Sequence, residues 1–145
     1  MSDFRQIEDG IFASPQIELA DIETAKAMGI ALIINNRPED ESPDQTPGAD
    51  IEAAARAAGI SYVAIPVTQA GFSETQVTGM VAALREAQGP VLAYCRSGTR
   101  STLLWALAQA SQGRSPDELA RCAAGAGYDV GPVRPAMDML ASSAS

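Results

Sequence analysis

Short, wholly apolar runs alternate along this chain with stretches whose apolar residues recur every three or four positions. Ile30-Ala31-Leu32-Ile33-Ile34 and Pro90-Val91-Leu92-Ala93-Tyr94 are continuous runs, as expected of strands buried on both faces. Ile60 to Ile65 reads as a further strand closed by Pro66, and Gly10 to Ser14 as a short one closed by Pro15. Helical spacing predicts helices over Leu19–Met28, stopped by Gly29, and over Ile51–Ala58, stopped by Gly59. A third opens at Gly71 and Ser73, with Ser73 as N-cap, and runs to about Glu86. Helices are also predicted over Ser101–Ala110, Pro116–Ala124 and Arg134–Ala141, with Ala141 to Ser145 as a frayed tail. Asn35 to Asp50 is polar, rich in proline and acids, and reads as a long loop.

Strands alternating with helices imply an α/β fold, a mostly parallel central sheet with helices on both faces. With no internal repeat and no composition break, residues 1–145 are expected to form one domain. In such sheets, ligands bind beyond the carboxyl ends of the strands. One predicted strand ends directly at Cys95.

The residues that follow are Cys95-Arg96-Ser97-Gly98-Thr99-Arg100-Ser101. A short glycine-containing loop between a strand and a helix gathers backbone N–H groups and the positive helix end into one small concavity. Such surroundings favour the thiolate, the nucleophilic form of cysteine. Arg100 can fork two hydrogen bonds onto an oxyanion, with Arg96, Ser97, Gly98 and Thr99 supplying the substrate-binding loop. Ser101 reads from the residues as a helix cap. Arg96 is expected to point outward, and Gly98 to serve backbone geometry.

Composition narrows the chemistry. The chain has no histidine, which removes Ser-His-Asp and Cys-His catalysis and histidine-based zinc sites. Its two cysteines, Cys95 and Cys122, cannot form a four-thiolate site, so neither a metal nor any other cofactor is expected. Cys122 reads as core packing, with a resolving thiol as the other reading. A net charge of −8 disfavours nucleic acid and large anionic partners, which leaves a small anionic substrate. The acidic N-terminus has no apolar leader core, and no run reaches membrane-spanning length. A cytoplasmic location without membrane contact is the expectation.

With strand, cysteine loop and helix in place, the chain resembles the protein tyrosine and dual-specificity phosphatases. The resemblance rests on Gly10-Ile11-Phe12-Ala13-Ser14-Pro15-Gln16, Gly29 to Arg37, Tyr62-Val63-Ala64-Ile65-Pro66-Val67 and the cysteine loop. It is closer still to a bacterial family of small domains described as phosphatase-like and sulfurtransferase-like, found alone or fused to β-lactamase-type hydrolases. In the resembling phosphatases the hydroxyl after the arginine stabilises the thiolate, which extends that role to Ser101.

Two features depart from the phosphatase pattern. Four residues separate Cys95 from Arg100, one fewer than in those phosphatases, and Cys-x-x-Gly-x-Arg is the loop of many single-domain rhodaneses. The position of the phosphatase general acid falls on Gln69, which cannot protonate an alkoxide. Sulfite and thiolates leave without a proton.

The leading expectation is therefore a sulfurtransferase that passes sulfane sulfur through a Cys95 persulfide. Its substrate would be thiosulfate or a persulfide, with a sulfur-acceptor or β-lactamase-type partner protein. The alternative is a phosphatase acting on a small phosphate ester through a Cys95 phosphocysteine, with Asp40, Glu41 or Asp44 as a replacement acid. A second alternative is a non-catalytic oxyanion or redox sensor. Glu39 and the other loop acids otherwise read as a solvated loop, Glu74 as a helix-terminus charge, and Arg37 as an anchor at a strand end.

Overall fold

The computed structural model describes residues 2–68 and 70–144. Gln69, the expected position of the general acid, lies outside them. Five strands form one sheet: β1 (Arg5–Glu8), β2 (Ile11–Ser14), β3 (Leu32–Asn35), β4 (Ser61–Ala64) and β5 (Val91–Tyr94). Their spatial order is β1-β2-β5-β3-β4, with every pairing parallel except β1 with β2. The helices are α1 (Leu19–Ala27), α2 (Gly48–Ala57), α3 (Glu74–Glu86), α4 (Thr99–Ser111), α5 (Pro116–Gly125) and α6 (Arg134–Ser143).

The period of two in the apolar runs builds both faces. From β5, Val91 and Ala93 enter a core shared with α3, α4, α5 and α6, whereas Leu92 and Tyr94 enter one shared with α1 and α2. β3 divides likewise, Leu32 and Ile34 one way and Ile33 the other. Helix α4 has no solvated stripe, since every residue from Ser101 to Ala108 is buried. It packs against α3, α5, α6 and the sheet, which explains a sequence that is apolar all round.

Several boundaries differ from expectation. β1 was not predicted: it pairs antiparallel at the sheet edge and buries only Ile7, so its sequence carries little apolar signal. Helix α2 begins at Gly48, a turn before Ile51, because the Glu39 carboxylate accepts from the Gly48 N–H at 2.8 Å and supplies a cap from outside the helix. Helix α4 begins at Thr99 with Gly98 as N-cap, which corrects the reading of Ser101 as a cap. Residues 141–143 belong to α6 and are not a frayed tail. Ser73 does cap α3, accepting from the Gln76 N–H while Gln76 accepts from the Ser73 N–H.

Register decides where the chemistry collects. Ser14 and Asn35 both lie beside Tyr94, and Ala64 lies beside Asn35. The carboxyl ends of the four parallel strands therefore emerge level. Cys95, Asn36 and Arg37 leave that edge together. Among the described residues, no helix is long and apolar enough to cross a membrane.

Candidate active site

Cys95 is the first residue past β5, and its N–H is held by the Ser14 carbonyl at 3.3 Å. The chain then turns within three residues into α4. Gly98 adopts φ +93°, a left-handed conformation that costs glycine little, and this turn brings its N–H back to Sγ of Cys95 at 3.1 Å. The sulfur thus accepts a backbone hydrogen bond at the positive end of a 13-residue helix.

The loop is held from both sides. The Arg96 carbonyl accepts from the Gln16 N–H at 3.2 Å, and the Gly98 carbonyl accepts from both N–H and hydroxyl of Thr102. The Tyr128 hydroxyl donates to the Ser97 carbonyl at 3.1 Å. That same hydroxyl fills the space where a side chain at position 98 would project. Burial raises the Tyr128 pKa, so the phenol stays protonated and donating.

Arg100, in the first turn of α4, reaches back across the site. Its Nη1 donates to Glu41 Oε2 at 2.6 Å and to the Val67 carbonyl at 2.7 Å, and its Nη2 donates to Glu41 Oε1 at 2.8 Å. Buried Arg37 approaches the same carboxylate, its Nε donating to Glu41 Oε1 at 2.9 Å. The remaining nitrogens of Arg37 donate to Gln16 Oε1 and Ser42 Oγ. Hydrogen bonding from Arg100, more than from Arg37, holds Glu41 well below the usual carboxylate range, at about 2, against the opposing effect of burial. Glu41 in turn raises the pKa of Arg100, and proximity to Cys95 adds to that rise.

The predicted loop residues are thus brought together. Arg96, Ser97 and Thr99 are exposed on its outer side, and the Ser97 hydroxyl bonds the Thr99 hydroxyl at 3.0 Å. Ser101 lies one residue past Arg100 on the buried side of α4, and its hydroxyl has no partner among the described residues.

The candidate acids fare differently. Glu41 is ionised and committed to two arginines, a state that leaves it no proton to give. Asp44 is held below its ordinary value chiefly by the Ser42 hydroxyl, which donates to it at 2.7 Å. Asp40 is exposed at φ +61°. Cys122 packs at the margin of the core beside Glu8, with its thiol pushed up mainly by burial, and so fits the packing reading. Glu74 lies exposed in the first turn of α3.

Sequence reasoning missed Tyr128, Gln16 and the anchoring use of Glu41. Glu41 meets Arg100 across 59 residues, and Tyr128 meets Ser97 across 31, so no local spacing announces either pair. The nearest available signal was an arginine, Arg37, placed among acids in a loop that leaves a buried strand.

The chain is similar to a beta-lactamase hydrolase-like protein of Agrobacterium fabrum, 36% identical over 109 residues, 75% of this chain and 25% of that protein. It therefore spans about a quarter of the length of the relatives it matches. A candidate phosphatase from Neisseria meningitidis Z2491 superposes with a TM-score of 0.84 at 34% identity, over 95% of this chain and 98% of that one. PTPMT1, crystallised with PI(5)P, superposes with a TM-score of 0.77 over 98% and 99% at 13% identity, a likeness of fold alone. Residues 3–112 match the family described as beta-lactamase hydrolase-like protein, phosphatase-like domain, and the chain belongs to that family, on a protein tyrosine phosphatase-like fold.

Proposed function

We propose that this chain is a cysteine-dependent phosphatase acting on a small phosphate ester. The observation that carries the reading is the Gly98 N–H on Sγ of Cys95 at the start of α4, with Arg100 of the same turn beside it. Membership of a phosphatase-like family favours phosphoryl transfer over sulfur transfer.

In the proposed reaction the Cys95 thiolate attacks phosphorus in line with the leaving oxygen. An S–P bond forms and the P–O bond breaks, giving a phosphocysteine and an alcohol once the leaving oxygen takes a proton. Water then attacks phosphorus, the S–P bond breaks, and phosphate leaves with the thiolate restored. Backbone N–H groups of the loop and the Arg100 guanidinium stabilise the equatorial oxygens as charge moves onto them. The buried Ser101 hydroxyl makes no hydrogen bond to Cys95 Sγ, and no step is assigned to it. Cys95 is itself 0% exposed, so substrate entry requires side chains around the loop to part.

One observation favours sulfur transfer as a second reading. Glu41 is ionised and occupied by two arginines, and Asp44 is held below its ordinary value by the Ser42 hydroxyl. Without a proton donor, hydrolysis depends steeply on the leaving group. Aryl phosphates, whose phenols ionise near pH 10, are expected to turn over far faster than alkyl phosphates.

The test supplies reduced protein with a series of aryl and alkyl phosphates, and in parallel with thiosulfate and cyanide. Phosphate release that is lost in Cys95→Ser and graded by leaving-group pKa is the expected result. Cys95-dependent thiocyanate formation without phosphate release would replace this reading with sulfur transfer. Silence in both arms would leave an oxyanion or redox sensor.

A further inference from the structure

Glu41 uses an arginine that the proposed function also needs, and the donors of Arg100 show how both uses fit. A guanidinium has five N–H donors. Both hydrogens of Nη1 are spent, one on Glu41 Oε2 and one on the Val67 carbonyl. One hydrogen of Nη2 is spent on Glu41 Oε1. Glu41 therefore occupies the end of the guanidinium, between Nη1 and Nη2. The side edge, carrying Nε–H and the second Nη2 hydrogen, stays available as a two-donor fork, and Cys95 is among the groups interacting with Arg100.

We propose that Glu41 is a positioning residue, which clamps the end of Arg100 so that its side edge faces an oxyanion held at Cys95. The clamp is itself braced. Arg37, buried at the end of β3, holds Glu41 Oε1 at 2.9 Å and is held in turn by Gln16, the residue whose N–H bonds the Arg96 carbonyl of the cysteine loop. The path Arg100–Glu41–Arg37–Gln16–Arg96 is hydrogen-bonded at each link, and the loop backbone from Arg96 to Arg100 closes it into a ring. A free arginine side chain loses rotamer entropy when it is ordered, and a fork clamped before the anion arrives does not lose it again on binding.

The proposal rests on the oxyanion-binding part of the proposed function and not on the reaction that follows. Two effects of Glu41 on anion binding have opposite signs, which makes it testable. As a charge, or as an occupant competing for the fork, Glu41 opposes a bound anion, and its removal tightens binding. As a clamp, its removal weakens binding.

The experiment is calorimetric titration of the whole chain with tungstate at neutral pH, alongside the thermal midpoint of each variant. Wild type is expected to bind, and Glu41→Gln to bind at least tenfold more weakly. Glu41→Asp keeps the charge but is one methylene too short for the two-oxygen clamp, so it is expected to be weakened as well. It also stands in should Glu41→Gln fail to fold. In an Arg100→Ala background the Glu41 substitution is expected to change affinity by less than about twofold, since its effect passes through Arg100. Unchanged or tighter binding in both Glu41 variants would overturn the clamp and leave the anion site standing. A Glu41 effect of equal size without Arg100 would also overturn it, in favour of a general structural role. A folded wild type that binds no tungstate would overturn the oxyanion site itself, and the clamp with it.

Discussion

Each residue at this site is worth what its neighbours leave it free to do, and Glu41 is the clearest case. A loop carboxylate is a plausible proton donor until two guanidinium groups are placed on it. Its folded pKa, about 2, lies below its ordinary value of 4.5. A depressed carboxyl contributes stability above its unfolded pKa and loses it as pH falls through the folded one. The contribution is on the order of 3 kcal/mol, from the drop between 4.5 and about 2 at about 1.4 kcal/mol per pKa unit. Chemical denaturation is therefore expected to show a loss of stability between about pH 4.5 and pH 2 that is reduced in Glu41→Gln. Equal pH slopes in the two proteins would contradict the pairing. Gly98 is the converse case, a residue chosen for what it lacks. Gly98→Ala must place a Cβ where the Tyr128 hydroxyl lies, at a φ of +93°. A cost of about 1–3 kcal/mol is expected in a denaturant melt, together with a larger loss of activity than of stability. Tyr128→Phe keeps the ring and the backbone and removes the hydroxyl that bonds Ser97 and interacts with Arg5, so it tests the brace apart from the turn.

Among the elements, α4 does two jobs at once. Its first turn faces the site, and its remaining length is the centre of the larger core, with Leu103, Leu104, Trp105 and Leu107 all buried. Trp105→Ala is expected to destabilise by about 3–5 kcal/mol, read as a shift in the denaturation midpoint. A rigid shaft behind the loop explains how three residues can hold a tight turn and aim an arginine. The loop between β3 and α2 plays the complementary part. Glu39 ties its far side to the Gly48 N–H, and Glu41 ties its middle to Arg100 and Arg37. Of the loop acids expected to be solvated, Glu39, Asp40 and Asp44 are exposed, whereas Glu41 folds the middle of the loop onto the site by ion pairs. Composition alone cannot distinguish the two, because solvated and paired carboxylates have the same sequence.

For the molecule as a whole, the net charge of −8 sets a field that repels the small anion proposed as substrate. Arg96 is exposed on the loop, and we propose that it offsets that field during approach. Arg96→Gln is expected to lower kcat/KM severalfold at low ionic strength, with the difference closing at high salt as the charges are screened. A deficit independent of salt would instead assign Arg96 a direct contact.

The chain alone carried the fold class, the parallel strands, most helix limits and the cysteine loop, because each depends on the identity of residues close in sequence. An apolar run buries wherever it pairs, a glycine turns where it stands, and a strand–cysteine–helix succession creates its own anion cradle. It left open which carboxylate meets which arginine, and that choice determined the role of Glu41. Arg100, Glu41, Arg37 and Tyr128 converge only after β5 has inserted between β2 and β3 with Tyr94 level with Ser14 and Asn35. Long-range register, set by burial of both sheet faces, decides those pairings, and no periodicity along the chain encodes them.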